Sequence, residues 1–207
     1  MSVNSAVDDS LTPARLDALL RSRASREAVA ERSYWHPNGF LKIVLAGASG
    51  AEQLRLHVWP GVPENHDVHD HAWSYRSVVL AGVLQERRYA EVAPGGLDAE
   101  VMWRHTYRGD GAGRFRLDAP AVVDLRESSR RLLIPGMRSH GTATCIHSFS
   151  AVVTPAVTLL AVGPRQQDLS SVYRRARVVE ETVVPAATTP DEVGEWVEFA
   201  RSAQCST

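Results

Sequence analysis

From Phe40 onward the hydrophobic pattern has a period of two. F-L-K-I-V-L alternates and is rich in β-branched residues, A-G-A-S-G-A reads as a turn, and Q-L-R-L-H-V-W alternates again. This predicts a hairpin leading into a histidine-rich loop. Past the loop, Ser77 to Arg88 reads as strand, turn and strand, and Tyr89 to Asp98, with Pro94-Gly95-Gly96, as a loop. Val101 to Tyr107 alternates once more, and R-G-D-G-A-G makes a glycine turn into R-F-R-L-D. A-V-V-D-L, R-L-L-I and V-T-L-L-A-V follow with turn residues between them. Many short strands with regular punctuation and no helical period predict an all-β, antiparallel jelly-roll barrel. V-Y-R-R-A-R-V-V-E-E-T-V-V adds one or two edge strands, with Arg174, Arg175 and Arg177 as a solvated edge.

Helical patterning is confined to the two ends. Ser10-Leu11-Thr12-Pro13 offers a cap with proline in the first turn, and Leu16, Leu19, Leu20, Ala24, Val29 and Ala30 make one apolar side. A break near Arg23 to Ser25 can divide this segment into two helices packed across one end of the barrel. T-T-P-D-E-V-G-E-W-V-E-F-A-R carries cap, proline and early acids in order, with Val193, Trp196, Val197 and Ala200 as its buried stripe. The expected division is a disordered start over 1–9, N-terminal helices over 10–36, the barrel over 37–185 and a helix with tail over 186–207.

Composition narrows the partners. The 207 residues carry a formal net charge of -1, with 44% hydrophobic and 23% charged residues. These values suit a globular protein and call for no nucleic-acid or membrane partner. No run is long enough to span a bilayer, and the polar start lacks the charged and apolar regions of a signal peptide. Two cysteines, Cys145 and Cys205, cannot build a disulfide framework, so a reducing cytoplasmic setting is expected.

The candidate chemistry lies in E-N-H-D-V-H-D-H-A-W-S-Y-R, residues 64–76. On a strand His69 and His71 project from one face into one cavity, and converging neutral imidazoles ligate iron, nickel, copper or zinc. Asp67 and Asp70 interleave as acceptors that could orient those rings, and His66 is expected at the cavity mouth or in solvent. His57 alternates with Arg55 along its strand, so both can face the same cavity. Tyr75 and Arg76 must point to opposite faces of a regular strand, so one of them lines the pocket. His36 and His105 carry no signal above background.

V-H-D-H-A-W-S-Y-R-S-V-V-L-A-G-V-L resembles the first sequence motif of the cupin superfamily, with Gly82 at the motif's glycine and Tyr75 in its glutamate slot. Within the superfamily the likeness is to thiol dioxygenases of the cysteine dioxygenase type. L-R-L-H-V-W-P-G is similar to the strand and turn before their histidines, and I-H-S-F-S-A-V-V-T-P-A-V-T-L-L-A-V-G-P to their second motif. The likeness covers roughly Phe40 to Pro164.

The resemblance implies a cupin barrel and a three-histidine centre of His69, His71 and His147. His140 is the rival third ligand, or otherwise a catalytic candidate, since I-P-G-M-R-S-H echoes another cupin pattern; His147 is preferred because the strand after it fits better. It implies Fe(II), with nickel, zinc and manganese as alternatives, O2 and a small-molecule substrate, and it allows a homodimer. L-cysteine or a relative is the substrate implied. Lys42, Arg76 or Arg55 would hold its carboxylate, and Tyr75 or His57 would manage protons.

The family's Cys-Tyr and Ser-His-Tyr elements are absent. Arg76 stands at the crosslinking cysteine, and V-T-L-L-A-V replaces the relay strand. This puts ordinary sulfinate formation in doubt and suggests another product, in specialised metabolism. A metal-binding cupin without turnover, and an isomerase or hydrolase using a Lewis-acid metal, are the alternatives.

Overall fold

The computed structural model describes residues 21–48, 51–62, 67–109 and 115–204. The expected cap at Ser10, the stripe Leu16, Leu19 and Leu20, His66 and the turn over 110–114 lie outside the described residues. Helix α1 (Arg23–Ala30) begins at Ser22, whose side chain accepts a hydrogen bond from the Ser25 N–H. Twelve strands follow: β1 (Tyr34–His36), β2 (Phe40–Gly47), β3 (Gln53–Trp59), β4 (Val68–His69), β5 (Trp73–Val92), β6 (Ala99–Gly109), β7 (Phe115–Leu133), β8 (Arg138–Gly141), β9 (Ile146–Arg165), β10 (Ser170–Arg174), β11 (Glu181–Val183) and β12 (Ala186–Ala187). Helix α2 (Pro190–Gln204) comes last, its first turn capped by Thr189 Oγ1, which accepts from the Glu192 N–H. Neither helix is long and apolar enough to cross a membrane.

The fold is the expected all-β class, an antiparallel barrel of the jelly-roll kind with helices packed on it. Pairing runs β9–β4–β10–β6–β7–β5, and the β5–β9 ladder returns the sheet to its start. From β9 a second wing extends through β3, β2 and β1 to β12. One face of this wing is the main core. Leu41, Ile43, Leu56 and Val58 pack beneath Val29 of α1 and Val193 and Val197 of α2, each burial contributing about 1.5–3 kcal/mol. The alternate residues Phe40, Lys42, Arg55, His57 and Trp59 point away from the helices into the barrel. Period-two patterning thus divides each strand of the hairpin between a stabilising face and a cavity face.

Two expectations need correction. The strands are fewer and longer: β5, β7 and β9 run for 20, 19 and 20 residues without the predicted turns. At Ala81–Gly82 the chain kinks within β5. Gly82 has φ 71°, the β5–β9 register slips on both sides of it, and a Cβ there would lie 2.5 Å from the Val153 carbonyl oxygen. A bulge and a turn use the same residues, and only the partner strand separates them. Second, β10 is no edge strand. It is paired by β4 on one side and β6 on the other, and Arg174 is drawn in by Asp67 and Glu181.

Candidate metal centre

His69 on β4 is the cross-strand partner of His147 on β9. His71 is positioned differently from the expectation, because β4 ends at His69 and β5 begins only at Trp73. Between them the Asp70 N–H donates to the Ser171 carbonyl and the His71 N–H to the Ala143 carbonyl, both at 3.1 Å. Gln167 Nε2 donates to the His71 carbonyl at 2.6 Å. Long-range hydrogen bonds, rather than strand alternation, therefore aim His71.

One ring nitrogen from each of the three histidines lies within 4.8 Å of the others. Two of the outer nitrogens are occupied. His69 Nδ1 is 2.9 Å from the Asp67 carbonyl oxygen, and His147 Nδ1 is 2.6 Å from Tyr75 Oη. His71 Nε2 and His147 Nε2 face each other at 2.9 Å. Two imidazole nitrogens held about 2.1 Å from one ion at right angles stand roughly 3 Å apart, so the spacing fits a shared metal. Burial pushes the His71 and His147 imidazoles well below their ordinary range, with the positive charge of a protonated His69 adding to it. His69 is lowered by burial too, opposed by its bond to Asp67. The rings are therefore neutral at physiological pH and offer lone pairs.

The aspartates serve otherwise than expected. Asp67 contacts His69 through its backbone carbonyl, while its carboxylate takes Arg174 at 2.8 Å. The Asp70 carboxylate accepts from the Ser171 N–H at 2.6 Å. Both acids fix the backbone carrying the histidines, and neither carboxylate bonds a ring.

Tyr75 is buried and Arg76 is exposed. The tyrosine ring fits because Gly141 lies opposite it in the β5–β8 ladder, where a Cβ would stand 2.5 Å from Tyr75 Cε1. The Ser139 hydroxyl, on β8 beside Tyr75, donates to Glu86 Oε1 at 2.7 Å. Glu86 is 1% exposed and also binds Arg88 and Arg131. The Tyr75 oxygen can accept His147 Nδ1–H, which frees Nε2 for a metal.

The histidines open into a cavity of about 130 Å³, lined largely by aromatic side chains. Lys42, Arg55 and His57 line it, as expected of cavity-facing positions on β2 and β3. His57 Nε2 is buried without a hydrogen-bond partner. Arg76 and His140 are not brought there. They are register partners in the β5–β8 ladder, exposed, and line a separate groove behind Tyr75. The barrel wall separates them from the three imidazoles because strand alternation points them outward.

Among the wall residues that carried no sequence signal are Tyr34 and His36 on β1, Tyr107 on β6 and Leu117 on β7. The alternation of Tyr34 and His36 in Y-W-H was the available clue, but three residues are too few to show a period. His105 is fully buried and accepts the Val178 N–H at 2.9 Å, a structural role.

No family model matches the chain, and no curated protein matches it. Solved structures share part of its arrangement. Hydroxypropylphosphonic acid epoxidase from S. wedmorenis is 12% identical at a TM-score of 0.38, over 63% of this chain and 53% of that one. The match thus spans about half the epoxidase's length. Hydroquinone 1,2-dioxygenase PnpCD, in complex with Cd2+ and 4-hydroxybenzonitrile, is 18% identical at 0.38, over 65% of this chain and 68% of that one. An oxalate oxidase is 14% identical at 0.30, over 83% and 75%. At these scores the likeness is partial, and the chemistry of the site rests on this chain's own residues.

Proposed function

We propose that the protein is a mononuclear non-haem iron oxygenase of the cupin type, which uses O2 to oxidise a small organic anion. The carrying observation is the meeting of three neutral imidazoles in a cavity whose wall holds two cations, Lys42 and Arg55, without acid partners among the described residues. Fe(II) bound by three neutral histidines supplies redox chemistry with coordination positions left for substrate and O2. The chain's residues do the rest. Lys42 and Arg55 hold the anionic head, a charge-assisted contact. His57 Nε2, lacking a partner, holds or passes a proton beside them. Tyr75 keeps His147 in the ligating tautomer, and the aromatic wall limits water. A thiol carboxylate, L-cysteine or a relative, is the substrate that the sequence resemblance implies.

The test is metal analysis of the purified protein, followed by oxygen uptake with Fe(II) and a panel of thiols and carboxylic acids. His69→Ala, His71→Ala and His147→Ala should each lose metal and oxygen consumption, whereas His140→Ala should keep both. Turnover that persists under anaerobic conditions overturns the oxygenase reading in favour of Lewis-acid chemistry.

A further inference from the structure

Lys42 and His57 are register partners on β2 and β3, and Arg55 lies on the same face two residues away. Among the described residues neither cation has a carboxylate partner. Lys42 Nζ donates to Tyr34 Oη at 2.7 Å and lies 4.4 Å from the centre of that ring. Arg55 Nε donates to Gln53 Oε1 at 2.8 Å, and its guanidinium sits 4.8 Å from the Trp73 ring centre. Burial lowers both, Arg55 to about 10, and the positive charge of Arg55 lowers Lys42 further. Enclosed cations without a counter-charge are costly, and one bound anion relieves both.

The same wall rejects a second cation. An entering ammonium group would meet the like charges of Lys42 and Arg55, and of the described lining acids Asp67 is already paired with Arg174 while Asp70 accepts from the Ser171 N–H. The remaining surface is flat and aromatic. His36 and Phe40 stack with ring centres 4.6 Å apart and 13° between planes, and Phe40 lies 4.6 Å from His57. Phe40 also lies 5.2 Å from Trp59, and Trp73 stacks on His71 at 5.6 Å and 22°. At about 130 Å³ the cavity is close in size to the roughly 150 Å³ apolar space that admits benzene, so only a small ligand fits.

We infer that the substrate is a small aromatic or similarly flat unsaturated acid without an ammonium group, its anionic head on Lys42 and Arg55 and its ring against the aromatic wall. This rests on the three-histidine reading for its chemistry, and it narrows the substrate away from free amino acids.

The experiment titrates the full-length protein, as purified and again after chelation of its metal, with benzoate, cyclohexanecarboxylate and L-cysteine. Binding is followed by calorimetry and by quenching of the cavity tryptophans Trp59 and Trp73. Benzoate should bind saturably and more tightly than cyclohexanecarboxylate, and L-cysteine should bind weakest. Lys42→Met and Arg55→Met should each weaken benzoate about tenfold or more, while retaining the metal content that shows an intact centre. Absence of benzoate binding, binding indifferent to both substitutions, or tighter binding of L-cysteine overturns the inference. Because the chelated protein is titrated as well, loss of the metal reading leaves this result legible, and the reverse holds too.

Discussion

Tyr75 Oη lies 2.6 Å from Nδ1 of His147, the candidate ligand contributed by the distant strand β9. Tyr75 fills the position where the resembled motif usually has a glutamate, and the contact turns that slot from a candidate ligand into a support for one. Tyr75→Phe leaves a buried Nδ1 without a partner and removes the tautomer control. Metal affinity should fall about 10–100-fold, measured by competition with a chromogenic chelator. Unchanged affinity would show that the contact orients nothing.

Gly141 makes that contact possible. Gly141→Ala places a Cβ against the Tyr75 ring at a distance real structures do not tolerate. The ring or β8 must shift, at about 1–3 kcal/mol of stability. Metal affinity should fall alongside it, read by urea unfolding and chelator competition on the same preparation. A loss of stability with metal binding intact would place the shift in β8 instead of Tyr75.

The Arg174–Asp67 pair should matter for metal binding although neither side chain touches a ring. Arg174 holds the carboxylate of the residue whose carbonyl orients His69. Arg174→Met should weaken metal binding several-fold, with Arg174→Lys restoring part of it, since lysine keeps the charge and loses the fork. Equal effects of Met and Lys would argue against orientation through the bidentate pair.

Glu86 binds Ser139, Arg88 and Arg131 from a position 1% exposed. Glu86→Ala removes the buried acceptor of Ser139 while the partly exposed Arg88 and Arg131 turn to water, and should cost about 1–3 kcal/mol, read from the shift in urea midpoint. Glu86→Gln should cost less, because the amide still accepts from Ser139.

Acid should destabilise the metal-free protein before it protonates the carboxylates. Burial holds His36 and His57 well below the ordinary histidine range, aided by Lys42 and Arg55. A group depressed in the folded state contributes its full stability above its unfolded value, and that contribution is lost as pH falls below 6.5 toward the folded one. Urea midpoints should therefore drop from pH 7.5 to pH 5.5, and His57→Phe should flatten the slope. An unchanged slope would mean that His57 accepts a proton in place without cost.

The sequence by itself determined the faces. Period two in F-L-K-I-V-L and Q-L-R-L-H-V-W settles which residues meet the helices and which meet the cavity, because a strand offers only two sides. The Tyr75-Arg76 pair carries the same kind of information, and the structure puts Tyr75 inside and Arg76 outside. Only tertiary structure decided what lies across from each strand. Cross-strand register brings His147 opposite His69 and leaves His140 against Arg76 on the outer surface. No spacing in the chain reports a contact between residues so far apart in sequence. The kink at Gly82, the bend that aims His71 and the Arg174–Asp67 pair share one cause. Each depends on hydrogen bonds to a segment distant in the chain, and local propensity is blind to those.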